Sequence, residues 1–402
     1  MSICKRVLPR TGKVYWRLDY RDAAGVRRAR SFATKAAAVA YEMQVRGELA
    51  RGVHVADSAS LTVAEAADIW LSSCEANKLE ESTTRVYRNH VRKHIKPLLG
   101  EVKLSRLTAP VAQGFVERLA EDRNRATVVK VTNSLKSIVS EAVRRGLAAT
   151  NPVREVRLPG SSRDEEEPEF PTAEEIKLLL ECAAGSLRAF VHTAIFSGMR
   201  PSELRGLVWG NVDLKEGVVR VRQRADRLGK IGRPKSKTSR RDIPMGPHLL
   251  ALLGELREKR QRALAGVADD APVDLSLVKL PDDALVFPDA DGKVEDHTTL
   301  YRRFGALQLS CGIAEPRLGD AGKPILGADG RPERRQRYGL HAMRHACASL
   351  LIAQGWQPKR IQVFMGHSTI KLTFDVYGHL FPDAKGDQKA MAKLEGSLLG
   401  QG

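Results

Sequence analysis

Near the start of the chain apolar and polar positions alternate. Val14, Trp16, Leu18 and Tyr20 fall on one side of a period-two pattern, with Arg17 and Asp19 on the other, as in a half-buried strand. Residues 22–25 read as a turn and residues 26–32 as a return strand carrying Arg27, Arg28 and Arg30. Thr34 suits the N-cap of a helix over residues 35–51, ended by Gly52. A small sheet with arginines on an exposed face can enter a major groove; a solvated charged hairpin is the alternative.

From residue 61 the period becomes helical. Thr62-x-x-Glu65 is a capping box before a helix that turns Ala66, Ile69 and Trp70 inward. A second helix over residues 82–95 carries Arg85, Arg88, Arg92 and Lys93, and Pro97 and Gly100 close it. Thr108 and Pro110 open a third, with Phe115 and Leu119. A fourth over residues 126–145 makes Val129, Leu135, Ile138 and Val139 apolar and stops at Gly146, before the break at Asn151-Pro152. One basic face of such a bundle can grip a duplex, or it is a solvated helix face. Residues 161–168, with the acidic run from Asp164 to Glu167, show no periodicity and read as a linker.

A helical pattern over residues 189–196 runs into Ser197-Gly198-Met199-Arg200-Pro201. Pro201 suits a first helical position, which leaves Arg200 at an N-terminal boundary where backbone amides favour an anion, with Glu203 one turn on. Strands over residues 217–222 and 240–245 flank a turn rich in glycine and lysine. From Arg220 to Arg241, ten basic residues, among them Arg222, Lys235, Lys237 and Arg240, stand against one acid, Asp226. Such a hairpin either brings a lysine to a phosphate or makes non-specific DNA contacts.

Leu340, Met343, Cys347 and Leu350 form a helical stripe, and His341 and Arg344, three apart, project together. An imidazole and a guanidinium at one point can handle a proton and clamp a phosphate. The alternatives are a surface helix and a metal pair from His341 and His345. Residues 361–365 read as a helix ended by Gly366, followed by His367 and Ser368. Ile370, Phe374 and Tyr377 share a face of the last helix, where Tyr377 alone reads as a packed core residue.

Charge narrows these readings. The 402 residues hold 66 Lys+Arg against 48 Asp+Glu, a net +18. The excess is spread: +7 over residues 1–60 (12 basic, 5 acidic), +6 over 61–160 (17 and 11) and +5 over 161–402 (37 and 32). That pattern suits several modules on one polyanion. With 42% hydrophobic residues the chain can build cores, so a disordered basic tail is excluded. The five cysteines, with no C-x-x-C pair, suit neither a disulfide framework nor a zinc ribbon and fit a reducing cytoplasm. No apolar run is long enough to span a bilayer, and no signal peptide is evident, so a membrane partner is not expected.

In order, Arg200-x-x-Glu203, the hairpin Lys237, His341-x-x-Arg344, Gly366-His367-Ser368 and Tyr377 resemble the catalytic set of the tyrosine site-specific recombinases, the phage integrase family. The resemblance covers the whole chain and implies a multidomain α+β fold. Its parts would be an arm-type DNA-binding sheet plus helix (residues 1–57), an all-α core-binding bundle (58–160), a linker (161–170) and a mainly α catalytic domain with a small antiparallel sheet (171–402).

It also implies a DNA strand breaking-and-rejoining enzyme with a 3′-phosphotyrosyl intermediate that integrates or excises a phage or mobile element without a cofactor or metal. Tyr377 would be the nucleophile and His341 its proton acceptor. Arg200 and Arg344 would hold the non-bridging oxygens, and Lys237 would protonate the 5′-oxygen. His367 would hydrogen-bond the phosphate, and Glu203 would orient its neighbours. Arg17, Arg28, Arg30, Arg85, Arg88, Arg92, Arg222 and Arg240 are expected on DNA.

Double-stranded attachment sites, a homotetramer on DNA, and host DNA-bending and directionality factors are the implied partners, in a bacterial cytoplasm at the nucleoid. Met391, Leu394 and Leu398 would form a stripe that docks on a neighbouring protomer. Two features depart from the family pattern: Lys235 competes with Lys237 as general acid, and residues 312–337 read as an inserted loop. A non-catalytic architectural protein, a type IB-like topoisomerase or nuclease, and a chromosome-dimer resolvase are the alternatives.

Overall fold

The computed structural model describes residues 1–9, 11–22, 25–160, 169–234, 236–269, 271–319, 324–327 and 329–380. The expected stripe of Met391, Leu394 and Leu398, most of the expected linker and Lys235 lie outside them. The chain divides into two compact units, Met1–Glu165 and Glu166–Gly402.

The first unit opens with an antiparallel sheet of β1 (Ser2–Val7), β2 (Val14–Arg21) and β3 (Arg27–Phe32), in that order, covered by α1 (Lys35–Ala50). β1 is an addition to the strands read from the pattern; Ser2 to Val7 pair with Asp19 to Val14. Leu18, Tyr20 and Val45 form its core, with Ile3, Phe32 and Tyr41 packed against them.

The register corrects the expected DNA face. Tyr20 pairs with Arg28 and Leu18 with Arg30, and directly paired residues share a face. Arg28 and Arg30 therefore lie on the side that α1 covers, against the expectation for them. Arg28 Nε bonds Asp22 at 2.8 Å, and the Arg30 guanidinium sits 4.4 Å above the Tyr41 ring. The open face instead carries Arg17 with Arg27, whose side chain is 75% exposed and reaches Asp19.

Helices α2 (Val63–Ala76), α3 (Glu81–His90), α4 (Lys96–Leu99), α5 (Ala109–Asp122) and α6 (Arg125–Arg144) make the bundle. The capping box forms, with Glu65 N–H on Thr62 Oγ1 at 3.2 Å and Thr62 N–H on Glu65 Oε2 at 2.7 Å. Pro97 does not stop the second helix, because a π turn, Val91–Ile95, carries α3 into α4. An imide nitrogen has no hydrogen to give, and a local change of register tolerates that loss. Val63, Trp70, Ile95, Phe115, Leu135 and Ile138 belong to one core. Arg85, Arg88 and Arg92 remain on the solvent side, with Arg88 paired to Glu75 at 2.7 Å.

The second unit is mainly helical: α7 (Ala173–Cys182), α8 (Gly185–Ser197), α9 (Pro201–Arg205), α10 (Pro247–Ala265), α11 (His297–Ser310), α12 (Ala342–Ala353), α13 (Pro358–Met365) and α14 (Ile370–Tyr377). A three-stranded antiparallel sheet orders β4 (Val212–Asp213), β5 (Val218–Val221) and β8 (Arg241–Pro244) side by side. Between β5 and β8 the basic turn folds as a ribbon of β6 (Arg224–Ala225) and β7 (Ile231–Gly232), then a 3₁₀ turn, Lys237–Ser239.

The described residues of the stretch read as an inserted loop pair as a hairpin. Its strands β9 (Ala314–Pro316) and β10 (Arg334–Gln336) pair antiparallel, and bridges join Leu318 to Pro324 and Leu326 to Pro332. Among the described residues no helix is long and apolar enough to cross a membrane.

Candidate active site

Five chain segments of the second unit converge at the ends of α8, α12 and α13. α8 ends at Gly198 with φ 59°, and a Cβ there would lie 2.6 Å from Met365 Sδ. The chain must turn here in the left-handed region, which glycine adopts without penalty. Two residues later Arg200 caps α9, with Pro201 in its first turn. The Arg200 backbone N–H donates to Glu203 Oε2 at 3.0 Å, and its guanidinium donates to Glu203 Oε1 at 2.9 Å and Gly366 O at 3.2 Å.

Glu203 is buried and has a second guanidinium on it. Arg241, the first residue of β8, donates to Glu203 Oε2 at 3.0 Å, to Phe364 O at 2.8 Å and to Ser239 O at 3.0 Å. Burial pushes the Glu203 carboxyl up, but Arg241 and then Arg200 outweigh it, so its pKa moves down and the group stays ionised. Sequence reasoning missed Arg241. Its one local signal is parity, since Arg241 and Ile243 both point inward from β8.

Arg344 on α12 is 2% exposed and ties three elements together, donating to Gly198 O at 2.6 Å and to Met365 O. Burial, then Arg200 and Arg241, lower its pKa to about 9. Two guanidiniums thus share the Glu203 carboxylate, and Arg344 adds a third positive charge beside them. A buried excess of positive charge is costly unless an anion joins it, and planar guanidiniums match the paired oxygens of a phosphate.

Gly366 ends α13 with φ 65°, and a Cβ would come within 3.0 Å of Arg241 Nη1 and Thr238 O. The 3₁₀ turn containing Lys237 is therefore packed against the arginine cluster. The Lys237 side chain lies outside the described part.

His367 follows, buried, with Nδ1 and Thr373 Oγ1 2.9 Å apart, and its ring stacks on Tyr377 at 6.3 Å between centroids. Burial, then the charges of Arg344 and Arg200, lower its pKa to about 3, so the ring is neutral. Tyr377 ends α14 at 2% exposure, and burial raises its phenol to about 12.

The phenol hydroxyl bonds His345 Nδ1 at 2.7 Å, not His341, the expected proton acceptor. His341 stands on the exposed rim, its ring 5.1 Å from that of His345. Partial burial of its ring lowers its pKa, with His345, Arg344 and Arg200 adding to the shift. The physical reason for the difference is helical geometry. His341 caps α12, whereas His345 sits one turn inside it, under α14. Among the described residues no three His, Cys, Asp or Glu side chains are grouped to hold a metal.

Of the residues expected on DNA in this unit, Arg222 is half-buried and paired with Asp242, and Arg240 is exposed.

Comparison with known proteins agrees with this architecture. The profile of the phage integrase family matches residues 169–383, and that of the phage integrase N-terminal SAM-like domain matches residues 62–120. A tyrosine recombinase XerC-like protein of Caldanaerobacter subterraneus is 27% identical across 94% of this chain and 95% of its own. The ICEBs1 integrase of Bacillus subtilis is 25% identical across 82% of each. Among solved structures, the Tn1549 transposon integrase in complex with transposon right end DNA superposes with a TM-score of 0.62 at 20% identity, covering 83% of this chain and 99% of that one. A lambda integrase tetramer bound to a Holliday junction gives 0.54 at 17% identity, covering 91% and 95%.

Proposed function

The chain belongs to the phage integrase family and is a site-specific DNA breaking-and-rejoining enzyme, and from that premise we propose that Tyr377 performs the break with the arginine cluster as its phosphate site. The observation that carries this reading is the anchoring of Arg200 and Arg344 on neighbouring carbonyls, Gly366 O and Met365 O, directly before His367, whose ring stacks on that of Tyr377.

In this reading Arg200 and Arg344 hold the non-bridging oxygens of the scissile phosphate and offset the charge that builds as a fifth oxygen approaches. Tyr377 Oη attacks phosphorus, the bond to the 5′-oxygen breaks, and the protein is left on the 3′ end as a phosphotyrosyl ester. Lys237 gives a proton to the leaving oxygen. His367 and His341, both neutral, donate hydrogen bonds to the phosphate. Glu203 and Arg241 position Arg200. One phosphoester replaces another, so the cut strand can be rejoined without an external energy source.

The partner is a double-stranded attachment site. Four protomers on two duplexes are the expected assembly, in line with the lambda integrase tetramer, and residues beyond 380 would link them. Host bending and directionality factors would set the direction of the reaction. The residue domains 1–57, 58–160 and 171–402 would serve arm binding, core binding and catalysis. Separate cores in the sheet module and the bundle support the first division.

The test is a nicked attachment site recovered from DNA flanking the gene. A protein band covalently shifted by labelled DNA is the expected result, and absence of the band for the active protein refutes the assignment.

A further inference from the structure

A phenol that must become a nucleophile needs a place for its proton, and the residue usually sought on sequence grounds, His341, does not touch it. We propose that His345 is the proton acceptor for Tyr377, a catalytic residue of the cleavage step.

The geometry is direct. Nδ1 lies 2.7 Å from the Tyr377 hydroxyl, inside the reach required of a general base. Both partners are held: His345 by α12, one residue after the anchored Arg344, and Tyr377 by α14. Phe170 stacks on His345 with centroids 4.9 Å apart and lies 5.5 Å from Tyr377, so one aromatic ring packs against both groups. A fixed hydrogen bond needs no reorganisation when the phosphate arrives.

Burial, then Arg344, lowers His345 to about 4, so the ring is neutral and free to accept at physiological pH. Accepting the phenol proton calls for the tautomer with its hydrogen on Nε2, which leaves the Nδ1 lone pair for the hydroxyl.

The step balances. The Oη–H bond breaks as Oη–P forms, Nδ1–H forms, and the P–O5′ bond breaks with a proton from Lys237 to O5′. The imidazolium made beside Arg344 is offset by the negative charge gathering on the phosphate, so proton transfer accompanies attack rather than preceding it. On rejoining, the 5′-hydroxyl attacks phosphorus and gives its proton to Lys237, the Oη–P bond breaks, and Nδ1 returns its proton to Tyr377.

The assignment rests on Tyr377 being the nucleophile, and the test separates the two. His345→Asn and His345→Gln are compared with the unaltered protein and Lys237→Ala on an attachment-site duplex with either an ordinary phosphate or a 5′-bridging phosphorothiolate. The sulfur leaving group needs no proton, so it rescues a lost general acid and not a lost base.

Adduct formation by both His345 variants is expected to fall about 10²–10⁴-fold on both substrates, while Lys237→Ala recovers on the phosphorothiolate. The deficit of the His345 variants should shrink as pH rises, because solvent then takes the proton. A merely structural role would leave that pH profile parallel to the unaltered one. DNA affinity and melting temperature near those of the parent establish that the variants are folded; if Asn does not fold, Gln carries the test. His345 variants that react within about threefold of the parent, or respond like Lys237→Ala, overturn the proposal. An unaltered protein that forms no adduct on either substrate overturns the Tyr377 reading instead.

Discussion

Glu203 receives Arg241 on Oε2 at 3.0 Å, from a strand 38 residues further along the chain, in a place where both side chains are buried. This pair sets the register of the whole site. Glu203 also holds Arg200, and Arg241 also holds Phe364 O at the end of α13, so one carboxylate and one guanidinium lock α9, β8 and α13 together.

Substituting Arg241 by Met should therefore cost about 3 kcal/mol of stability, because it leaves a buried carboxylate half-paired. Strand cleavage should fall further than binding, since Arg200 loses its fixed support. Denaturant unfolding and adduct assays on one preparation would check both; unchanged stability would show that the pair is not the anchor described.

Gly366→Ala is expected to destabilise by about 1–2 kcal/mol from the left-handed backbone alone. The added methyl also meets Arg241 Nη1 and Thr238 O at 3.0 Å, so the turn that carries Lys237 should shift. Thermal melting measures the first effect, and the ratio of cleavage on ordinary and sulfur-bridged substrates measures the second.

Acid should weaken the second unit. His345 and His367 fall from 6.5 in the unfolded chain to about 4 and about 3 when folded, both chiefly through burial. The unfolded state then binds more protons below pH 6.5, so their contribution is full above that value and is lost as pH falls toward the folded values. Melting temperature should drop from pH 6.5 to pH 4.5. Replacing His367 with Asn should flatten that drop, and an unaltered slope would place the titrating groups elsewhere.

Salt dependence should sort the arginines of the first unit. Arg85, Arg88 and Arg92 point to solvent, so Ala at each should lower the slope of log affinity against log salt by about 1. Arg28 and Arg30 lie under α1, so their Ala variants should reduce stability and leave the slope nearly unchanged. Salt titrations of DNA binding would show the division.

That contrast also shows which features were legible in the sequence. Thr62 with Glu65, Pro201 after Arg200, and Gly366 after α13 were readable because a cap, a first turn and a left-handed stop are decided within four residues. The pairing of Tyr20 with Arg28 was not, because three neighbouring arginines look alike until a covering helix chooses the inner face. Arg241 was hidden for the same reason, since its partners stand 38 and 123 residues away. His345 was visible only as a possible metal partner of His341, and α14 had to be placed before its contact with Tyr377 emerged.

In the proposed reaction Tyr377 Oη is the atom that joins protein to DNA. The direct measurement is peptide mass spectrometry of the complex trapped on a nicked attachment site. The phosphodeoxynucleotide should be found on the peptide containing Tyr377, with no adduct from Tyr377→Phe at retained DNA affinity. An adduct on any other residue, or one that survives Tyr377→Phe, would contradict the account.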